Sequence, residues 1–174
     1  MRLCPAQSKL YGTLAWVGFI SMFLISPAWA KQKVILFNEN GTAEIEVGMK
    51  YSQVKALVRN FPCPRHEGDG CRQINLADRE LMLLFIDGVL ARIDFYGTHY
   101  VTDKNVRVGS SQQDVAAVYN AEAILETDTY DPTRLDVTVK TTEKLGLKFY
   151  ITDRGITEIS AGTISALALV EGCL

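Results

Sequence analysis

A short pattern that occurs twice, 61 residues apart, places the strongest constraint on the fold. It first covers residues 45–57 and returns at residues 106–118. The residues repeated identically are Val47, Gly48, Val54 and Ala56, which return as Val108, Gly109, Val115 and Ala117. Each copy predicts a short strand, a turn at the glycine and a helix with one apolar face. The sequence therefore predicts an α+β fold of two tandem modules, each a helix packed on an antiparallel sheet.

The first thirty residues have the pattern of a cleavable signal peptide. Arg2 and Lys9 give a positive start, residues 10–25 are mostly apolar, and Ala-Trp-Ala at 28–30 supplies small residues for cleavage. The apolar core is shorter than the roughly 20 residues of a membrane-spanning helix, and the alternative is an uncleaved N-terminal anchor. We therefore expect an exported protein, periplasmic or secreted, without membrane insertion after cleavage. The two modules are expected at residues 31–97 and 98–174.

The charge of the chain argues against two classes of partner. The formal net charge is −2, and it becomes more negative when Arg2 and Lys9 leave with the signal peptide. No cluster of lysine and arginine occurs in the sequence. Nucleic acids and anionic membranes attract basic surfaces, so we expect neither as a partner.

Three cysteines remain after cleavage, in a compartment where disulfides form readily. Cys63 and Cys71 enclose a short loop that contains glycine and proline, and its closure costs little chain entropy. A Cys63–Cys71 disulfide is the first prediction, and a bond from either residue to Cys173 is the alternative. The chain has two histidines and lacks zinc-ligand spacing, so we expect no metal and no cofactor.

The pattern of apolar residues also predicts individual elements. Asn40-Gly41 and Asp87-Gly88 are favoured hairpin turns. The segment 81–86 is apolar throughout, as in a strand covered on both faces, whereas 89–96 alternates as in a half-exposed strand. Residues 164–170 suit a last strand or a short helix, and the preceding strands favour a strand. The predicted buried faces of the two helices are Val54, Leu57, Val58 and Phe61 in the first, and Val115, Val118 and Tyr119 in the second.

No set of residues makes a convincing catalytic site. A Ser/His/Asp arrangement would need Ser110 or Ser111 with His99 and Asp94, but these serines lack the nucleophile-elbow pattern and are explained as helix caps. His66 lies beside acidic residues in the cysteine loop, which is read more simply as a solvated turn. The acidic segment 122–136 lacks the calcium-loop pattern and is read as a solvated loop or as a contact surface for a basic partner.

Several of these residues are nonetheless candidates for binding a protein. Tyrosines on connectors and outward faces are useful in protein contacts. We therefore predict a binding surface that includes His66, His99, Tyr100 and Tyr130, located on a concave sheet face or on the loops at 63–71, 97–104 and 126–134.

The repeated pattern resembles the SmpA/OmlA-like module of the small lipoprotein in the outer-membrane assembly machinery. The resemblance rests on Val47-Gly48 and Val108-Gly109, each followed by Met or Ser and by a helix with valine at the sixth position after the glycine. Two such modules behind a signal peptide are similar to the architecture of the secreted β-lactamase inhibitor proteins. This chain departs from both in its odd number of mature cysteines and in a mature part without tryptophan. The resemblance implies a binding role rather than catalysis.

These observations together predict an exported, non-enzymatic module that binds or inhibits another envelope protein. One alternative is a small envelope hydrolase that uses His99 or His66 with a nearby acid. A second alternative is an accessory protein of envelope assembly.

Overall fold

An eight-stranded antiparallel sheet is the largest unit of secondary structure in the described residues. The computed structural model describes residues 33–64, 66–68, 70–119, 123–127, 131–170 and 172–173. In chain order the strands are β1 Ile35–Asn38, β2 Gly41–Thr42, β3 His66–Gly68, β4 Cys71–Leu76, β5 Leu81–Ile86, β6 Val89–Phe95, β7 Tyr100–Thr102, β8 Ala123–Thr127, β9 Leu135–Lys140, β10 Leu145–Thr152 and β11 Gly155–Thr163. The helices are α1 Tyr51–Leu57, α2 Gln112–Tyr119 and α3 Ile164–Leu167, with a 3-10 turn at Ala77–Arg79. The predicted α+β class is confirmed.

The order of strands in the large sheet mirrors the sequence repeat. The order is β3-β4-β5-β6-β11-β10-β9-β8, so the first four strands run inward from one edge and the second four run inward from the other. The two sets meet at β6 and β11, where Asp94 pairs with Ser160. A second sheet has the order β2-β1-β7, and its β1–β7 pair is parallel, which the sequence did not predict.

The backbone hydrogen bonds of the repeated segment also recur, although their partners Leu90 and Ile156 are 66 residues apart and not 61. The Gly48 N–H donates to Leu90 O at 2.8 Å, and the Gly109 N–H donates to Ile156 O at 2.8 Å. The return bonds also correspond, since Leu90 N–H donates to Met49 O and Ile156 N–H donates to Ser110 O. In each repeat the chain before the helix is therefore attached to the second strand of a hairpin.

The two repeated glycines have the backbone conformation that the sequence predicted for a turn. Gly48 has φ of 94° and Gly109 has φ of 90°, a region that L-residues with a side chain rarely adopt. No atom lies within 4 Å of a Cβ built on either glycine, so the requirement comes from the backbone and not from crowding.

One face of the large sheet packs against α1, α2 and the small sheet. Val54 of α1 and Val115 of α2 are buried in the same core as Phe149 of β10. Phe37 of β1 stacks on Phe95 of β6 with ring centroids 3.9 Å apart. The sequence predicted that Leu57 of α1 and Val118 of α2 face the core, and both predictions are wrong because these side chains are exposed. Helix α1 ends at Leu57, and α2 reaches the core through Val115 and Tyr119.

The opposite face of the large sheet is covered by α3, although the sequence predicted that the residues of β6 on this face are exposed. The segment 164–170 begins with the helix α3 and not with a strand, and α3 packs on β6, β10 and β11. The alternating residues of β6 that face this side, Arg92 and Asp94, are buried. Arg92 donates two hydrogen bonds to carbonyl oxygens at the end of α3, so the prediction of a half-exposed β6 is wrong.

The predicted Cys63–Cys71 disulfide is also wrong. Cys71 of β4 is bonded to Cys173, with a Cα–Cα distance of 5.6 Å across a sequence separation of 102. This is one of the alternatives left open by the sequence, and it attaches the end of the chain to the first repeat. Loop length favoured Cys63 as the partner, but β4 and the folded-back C-terminal segment bring Cys173 to Cys71.

The division of the chain remains partly a prediction. Residues from Lys33 onward form one compact unit, and the segments before and after the boundary expected between 97 and 98 both contribute strands to the eight-stranded sheet. The signal peptide at 1–30 lies outside the described residues. Within the described part of the chain, no helix is both long enough and apolar enough to cross a bilayer.

Candidate functional site

The face of the sheet beneath α3 contains a network of buried charged and polar side chains. Arg92 and Asp94 of β6 lie beside Ser160 of β11, and Asp94 is 1% exposed. The Ser160 hydroxyl donates to Asp94 Oδ1 at 2.6 Å, and Arg92 Nη2 donates to Asp94 Oδ2 at 3.3 Å. Arg92 Nε also lies 2.8 Å from Oδ1, a short ion pair without hydrogen-bond geometry. Burial raises the pKa of Asp94, and Arg92 and Ser160 oppose that rise.

The guanidinium of Arg92 connects this network to the C-terminal segment. Its Nη1 donates to the carbonyl oxygens of Ala166 at 2.9 Å and Leu169 at 2.8 Å. The Ala166 carbonyl also accepts from the Leu169 N–H at 3.3 Å, so the arginine adds a charged donor at the negative end of the helix. The arginine therefore fastens α3 to the centre of the sheet, which is a structural role.

Glu158 of β11 lies at the border of the network, and its pKa differs from that of an ordinary glutamate. It pairs across the strands with Tyr150 of β10, and its Oε1 lies 3.4 Å from the Ser160 hydroxyl. Burial, and then the charge of Asp94, raises the pKa of Glu158 to about 7. Burial together with the charge of Glu158 also raises the pKa values of Tyr96 and Tyr150. A carboxyl that titrates near neutral pH could exchange a proton with a partner or make the stability depend on pH.

A second charged group follows on β9 and β10. Asp136 accepts from Lys148 at 2.9 Å and lies 3.1 Å from Arg134 Nε. Arg134 also stands over the ring of Tyr150, 4.7 Å from its centroid, and Lys148 is 5.1 Å from the same centroid. The carboxylate of Asp136 is thus neutralised by two cations that share one aromatic ring.

A cleft of about 380 Å³ opens between these strands and α3. Its floor contains charged and polar side chains of β8, β9 and β10, and its wall is apolar. The lining residues are Ile124, Glu126, Asp136, Thr138, Lys140, Lys148, Ile164, Leu167, Ala168 and Val170. Ile124 and Val170 are both exposed, which makes the rim of the cleft apolar.

A larger, mostly apolar groove of about 750 Å³ lies elsewhere, beside the Gly48 turn and the loop at 141–144. Its lining includes Val47, Val89 and Leu145 and shares no described residue with the cleft beside α3. Lys144 and Glu143, which also line the groove, carry charges of opposite sign. The groove therefore favours neither anions nor cations.

Two of the predicted binding residues, His99 and Tyr100, lie together and help to position β7. His99 Nδ1 is 3.4 Å from Glu80 Oε2, and its ring packs on Tyr100 with centroids 4.1 Å apart. The Tyr100 hydroxyl donates to Arg79 O at 2.8 Å, and burial raises the pKa of Tyr100 to about 12. Tyr100 is thus a core residue rather than an exposed contact.

The structure contains less information about the other two predicted binding residues, His66 and Tyr130. The backbone of His66 belongs to β3, opposite Gln73 of β4. Tyr130 lies outside the described residues. The binding role predicted for His66, His99, Tyr100 and Tyr130 stays a prediction.

The serine that the sequence assigned to a helix cap has that role. The Ser111 hydroxyl accepts from the Asp114 N–H at 3.2 Å, while Asp114 Oδ2 accepts from the Ser111 N–H at 2.7 Å. Asp94, the acid of the considered Ser/His/Asp set, is instead bonded to Arg92 and Ser160.

The network beneath α3 was missed by sequence reasoning. Arg92 and Asp94 alternate along β6, and Glu158 and Ser160 alternate along β11, so the period of two placed each pair on one face. Polar residues at that period indicate a solvent-exposed face in most sheets. The missing information was the short helix that covers them.

Comparison with known proteins adds little to this description. No family model and no curated protein matches the sequence. A solved structure, that of the uncharacterized protein yfeY from Escherichia coli, is similar with a TM-score of 0.48 and 12% identity, over 75% of this chain and 99% of that chain. A similarity at this level defines neither a shared fold nor a shared function. The SmpA/OmlA-like resemblance thus has no support from family models and stays a prediction.

Proposed function

We propose that the protein is an exported, non-enzymatic module that binds or inhibits another protein of the cell envelope. The observation that carries this proposal is the apolar surface on β8, the last strand of the large sheet. Leu125 is 61% exposed and Ile124 is 43% exposed. An edge strand with exposed apolar side chains is a surface on which a strand of another chain can pair.

Export is supported by the signal-like residues 1–30 and by the Cys71–Cys173 bond. Disulfides persist in oxidising compartments such as the periplasm and the extracellular space, and are rare in the cytosol. A periplasmic or secreted location is therefore part of the proposal.

The binding role is tested by capture from the native envelope. Tagged protein is exported in its own cell type, recovered under mild conditions, and the retained proteins are identified and quantified by mass spectrometry. We expect one partner near stoichiometric amount, and the complex should re-form from the two purified proteins. A matched pair of variants locates the surface: Leu125→Glu on β8 and Leu57→Glu on α1, where Leu57 is also an exposed leucine.

The expected result is loss of the partner with Leu125→Glu and retention with Leu57→Glu, while both variants keep the wild-type melting temperature within a few degrees. Retention by both variants would move the binding surface away from β8. A catalytic turnover that His99→Ala abolishes would instead favour the hydrolase alternative. Stable co-fractionation with membranes through a partner would favour the envelope-assembly alternative.

A further inference from the structure

The outer edge of β8 presents backbone groups to which another strand could bind. Within the described residues β8 pairs with β9 alone, in antiparallel register from Ala123 opposite Val139 to Thr127 opposite Leu135. The outward N–H and C=O groups of such a strand are unpaired within the sheet. The sequence of β8 is Ala-Ile-Leu-Glu-Thr, without the lysine or proline that commonly protects an edge.

The side chains of β8 define what an added strand would meet. Ile124 and Glu126 line the cleft beside α3, and Leu125 projects to the opposite face because side chains alternate along a strand. All three side chains are exposed. An added strand would therefore meet an isoleucine and a carboxylate on one face and a leucine on the other.

The carboxylate of Glu126 lacks a cation of its own. It lies directly opposite Asp136, a second carboxylate, in the β8–β9 register. The two cations nearest to Asp136, Lys148 and Arg134, are engaged by Asp136 itself at 2.9 and 3.1 Å. Glu126 makes no ion pair among the described residues. Lys140, the remaining cation of the cleft, lies four positions from Asp136 along β9, about 13 Å away at the usual rise of a strand.

We propose that β8 accepts an antiparallel β-strand from a partner protein, with a basic residue opposite Glu126 and apolar residues opposite Leu125 and Ile124. Read from its N-terminus, the partner segment has the pattern basic, apolar, apolar. Backbone hydrogen bonds supply the attachment, and the cross-strand pairs supply the choice of partner. This inference rests on the proposed protein-binding function and names the chemistry of the partner.

A second copy of this chain fits the edge less well. Antiparallel pairing of β8 with itself, centred on Leu125, would place Ile124 of each copy opposite Glu126 of the other. Both carboxylates would then lack a cation beside a newly buried apolar side chain, which disfavours the pair. A heterologous strand with a basic residue avoids this mismatch.

Synthetic peptides test the pattern directly on the full chain. The probe is the capped peptide Thr-Thr-Lys-Val-Ile-Thr-Thr, which places Lys opposite Glu126, and the control peptide has Glu in place of Lys. Titration is followed by backbone amide chemical shifts, with the shifts expected in β8 and β9. We expect the lysine peptide to bind about tenfold more tightly than the glutamate peptide, because the opposed charges change from unlike to like.

Two charge-reversed variants of the protein complete the experiment. Glu126→Lys should reverse the preference, so that the glutamate peptide binds more tightly. Glu143→Lys, at an exposed position in the loop between β9 and β10, should leave the preference unchanged. Binding of neither peptide at millimolar concentration, an unchanged preference in Glu126→Lys, or shifts confined to other strands would each overturn the proposal. A dimer seen by sedimentation and lost in Leu125→Glu would overturn it in favour of a second copy.

The peptide result and the envelope capture can fail separately. A captured partner without peptide binding would remove strand addition at β8 and leave the binding module in place. Specific peptide binding with no captured partner would establish the edge chemistry and remove the proposed envelope function.

Discussion

The two outer ends of the large sheet come from equivalent parts of the sequence repeat but differ in their contacts with the rest of the chain. At the first end the edge strand is β3, and the strand next to it, β4, is held by the C-terminal segment. Cys71 of β4 is bonded to Cys173, and Gly172 lies so close to Gln73 that a side chain on the glycine would overlap the Gln73 amide. At the second end, β8 presents Ile124 and Leu125 to solvent.

This difference shows that two copies of one strand order can be attached differently to the rest of the chain. The C-terminal segment crosses from the second repeat to the first, and its last residues run beside β4. The chain itself therefore fastens one end of the sheet, here called the closed end, through the strand next to its edge. At the other end, here called the open end, the edge strand β8 pairs within the described residues with β9 alone. Arg92 supports the closed end from the centre of the sheet, since it binds the carbonyls of Ala166 and Leu169 in the same segment.

The largest expected effect comes from Arg92→Ala, which tests whether the closed end depends on the buried network. The substitution leaves the Asp94 carboxylate buried without its cation and removes the arginine donor from the carbonyls of Ala166 and Leu169. Loss of one partner of a buried ion pair typically costs about 3–5 kcal/mol, and we expect that decrease in the free energy of unfolding. Urea unfolding followed by circular dichroism measures it.

The double variant Arg92→Ala/Asp94→Asn serves as the control for this interpretation. It should be more stable than Arg92→Ala alone, because the unpaired charge has also been removed. A cost below about 1 kcal/mol for Arg92→Ala would show that water reaches the site and that the network does not fasten the C-terminal segment.

Removal of the disulfide should have the next largest effect. Cys71→Ala, Cys173→Ala and the double variant should each lower the free energy of unfolding by about 2–5 kcal/mol, because a cross-link over 102 residues no longer restricts the unfolded chain. The three values should agree, since each substitution breaks the same bond. Thermal unfolding under non-reducing conditions provides the measurement, and unequal single variants would indicate a different pairing in solution.

The sequence was a good guide where local backbone geometry decides the structure. The glycines at 48 and 109 have the predicted turn conformation, and Asp87-Gly88 joins β5 to β6 with positive φ at both residues. These features depend on a few neighbouring residues, so a short window of sequence contains their cause.

The sequence was a poor guide where distant segments meet. The partner of Cys71 depends on the C-terminal segment folding back across the sheet, and loop length alone pointed to Cys63. The burial of Asp94 depends on α3, whose four residues are too short for a helical period to be recognised. The network beneath α3 was therefore not predictable, although the alternation that aligns its members was visible.

A smaller effect, one that depends on pH, is expected from Glu158→Gln. The pKa of Glu158 rises from its usual 4.5 to about 7 in the folded protein. The folded state therefore retains a proton that the unfolded state loses, and stability falls as pH rises from about 4.5 to about 7. The glutamine variant should lack this decrease and be more stable at pH 8 by at most about 3 kcal/mol.

Urea unfolding at intervals between pH 4 and pH 8 measures the slope for both proteins. Glu143→Gln is the matched control, since Glu143 is an exposed glutamate in the loop between β9 and β10, and this variant should keep the wild-type slope. Asp94 adds to the slope in the same direction, because burial raises its pKa as well. An identical slope in wild type and Glu158→Gln would show that Glu158 is hydrated in solution.

The smallest effects test whether the two repeats are equivalent at their turns. Gly48→Val and Gly109→Val should each lower the free energy of unfolding by about 1–2 kcal/mol, since φ values of 94° and 90° are strained for a residue with a side chain. Neither Cβ would meet a neighbouring atom, so the two costs should be similar.

Ala117→Val, at an exposed position of α2, provides the control and should cost only a few tenths of a kcal/mol through helix propensity. Unequal costs at the two glycines would mean that the closed and open ends of the sheet differ in rigidity as well as in exposure, while unchanged stability in both variants would show that the turns do not require glycine.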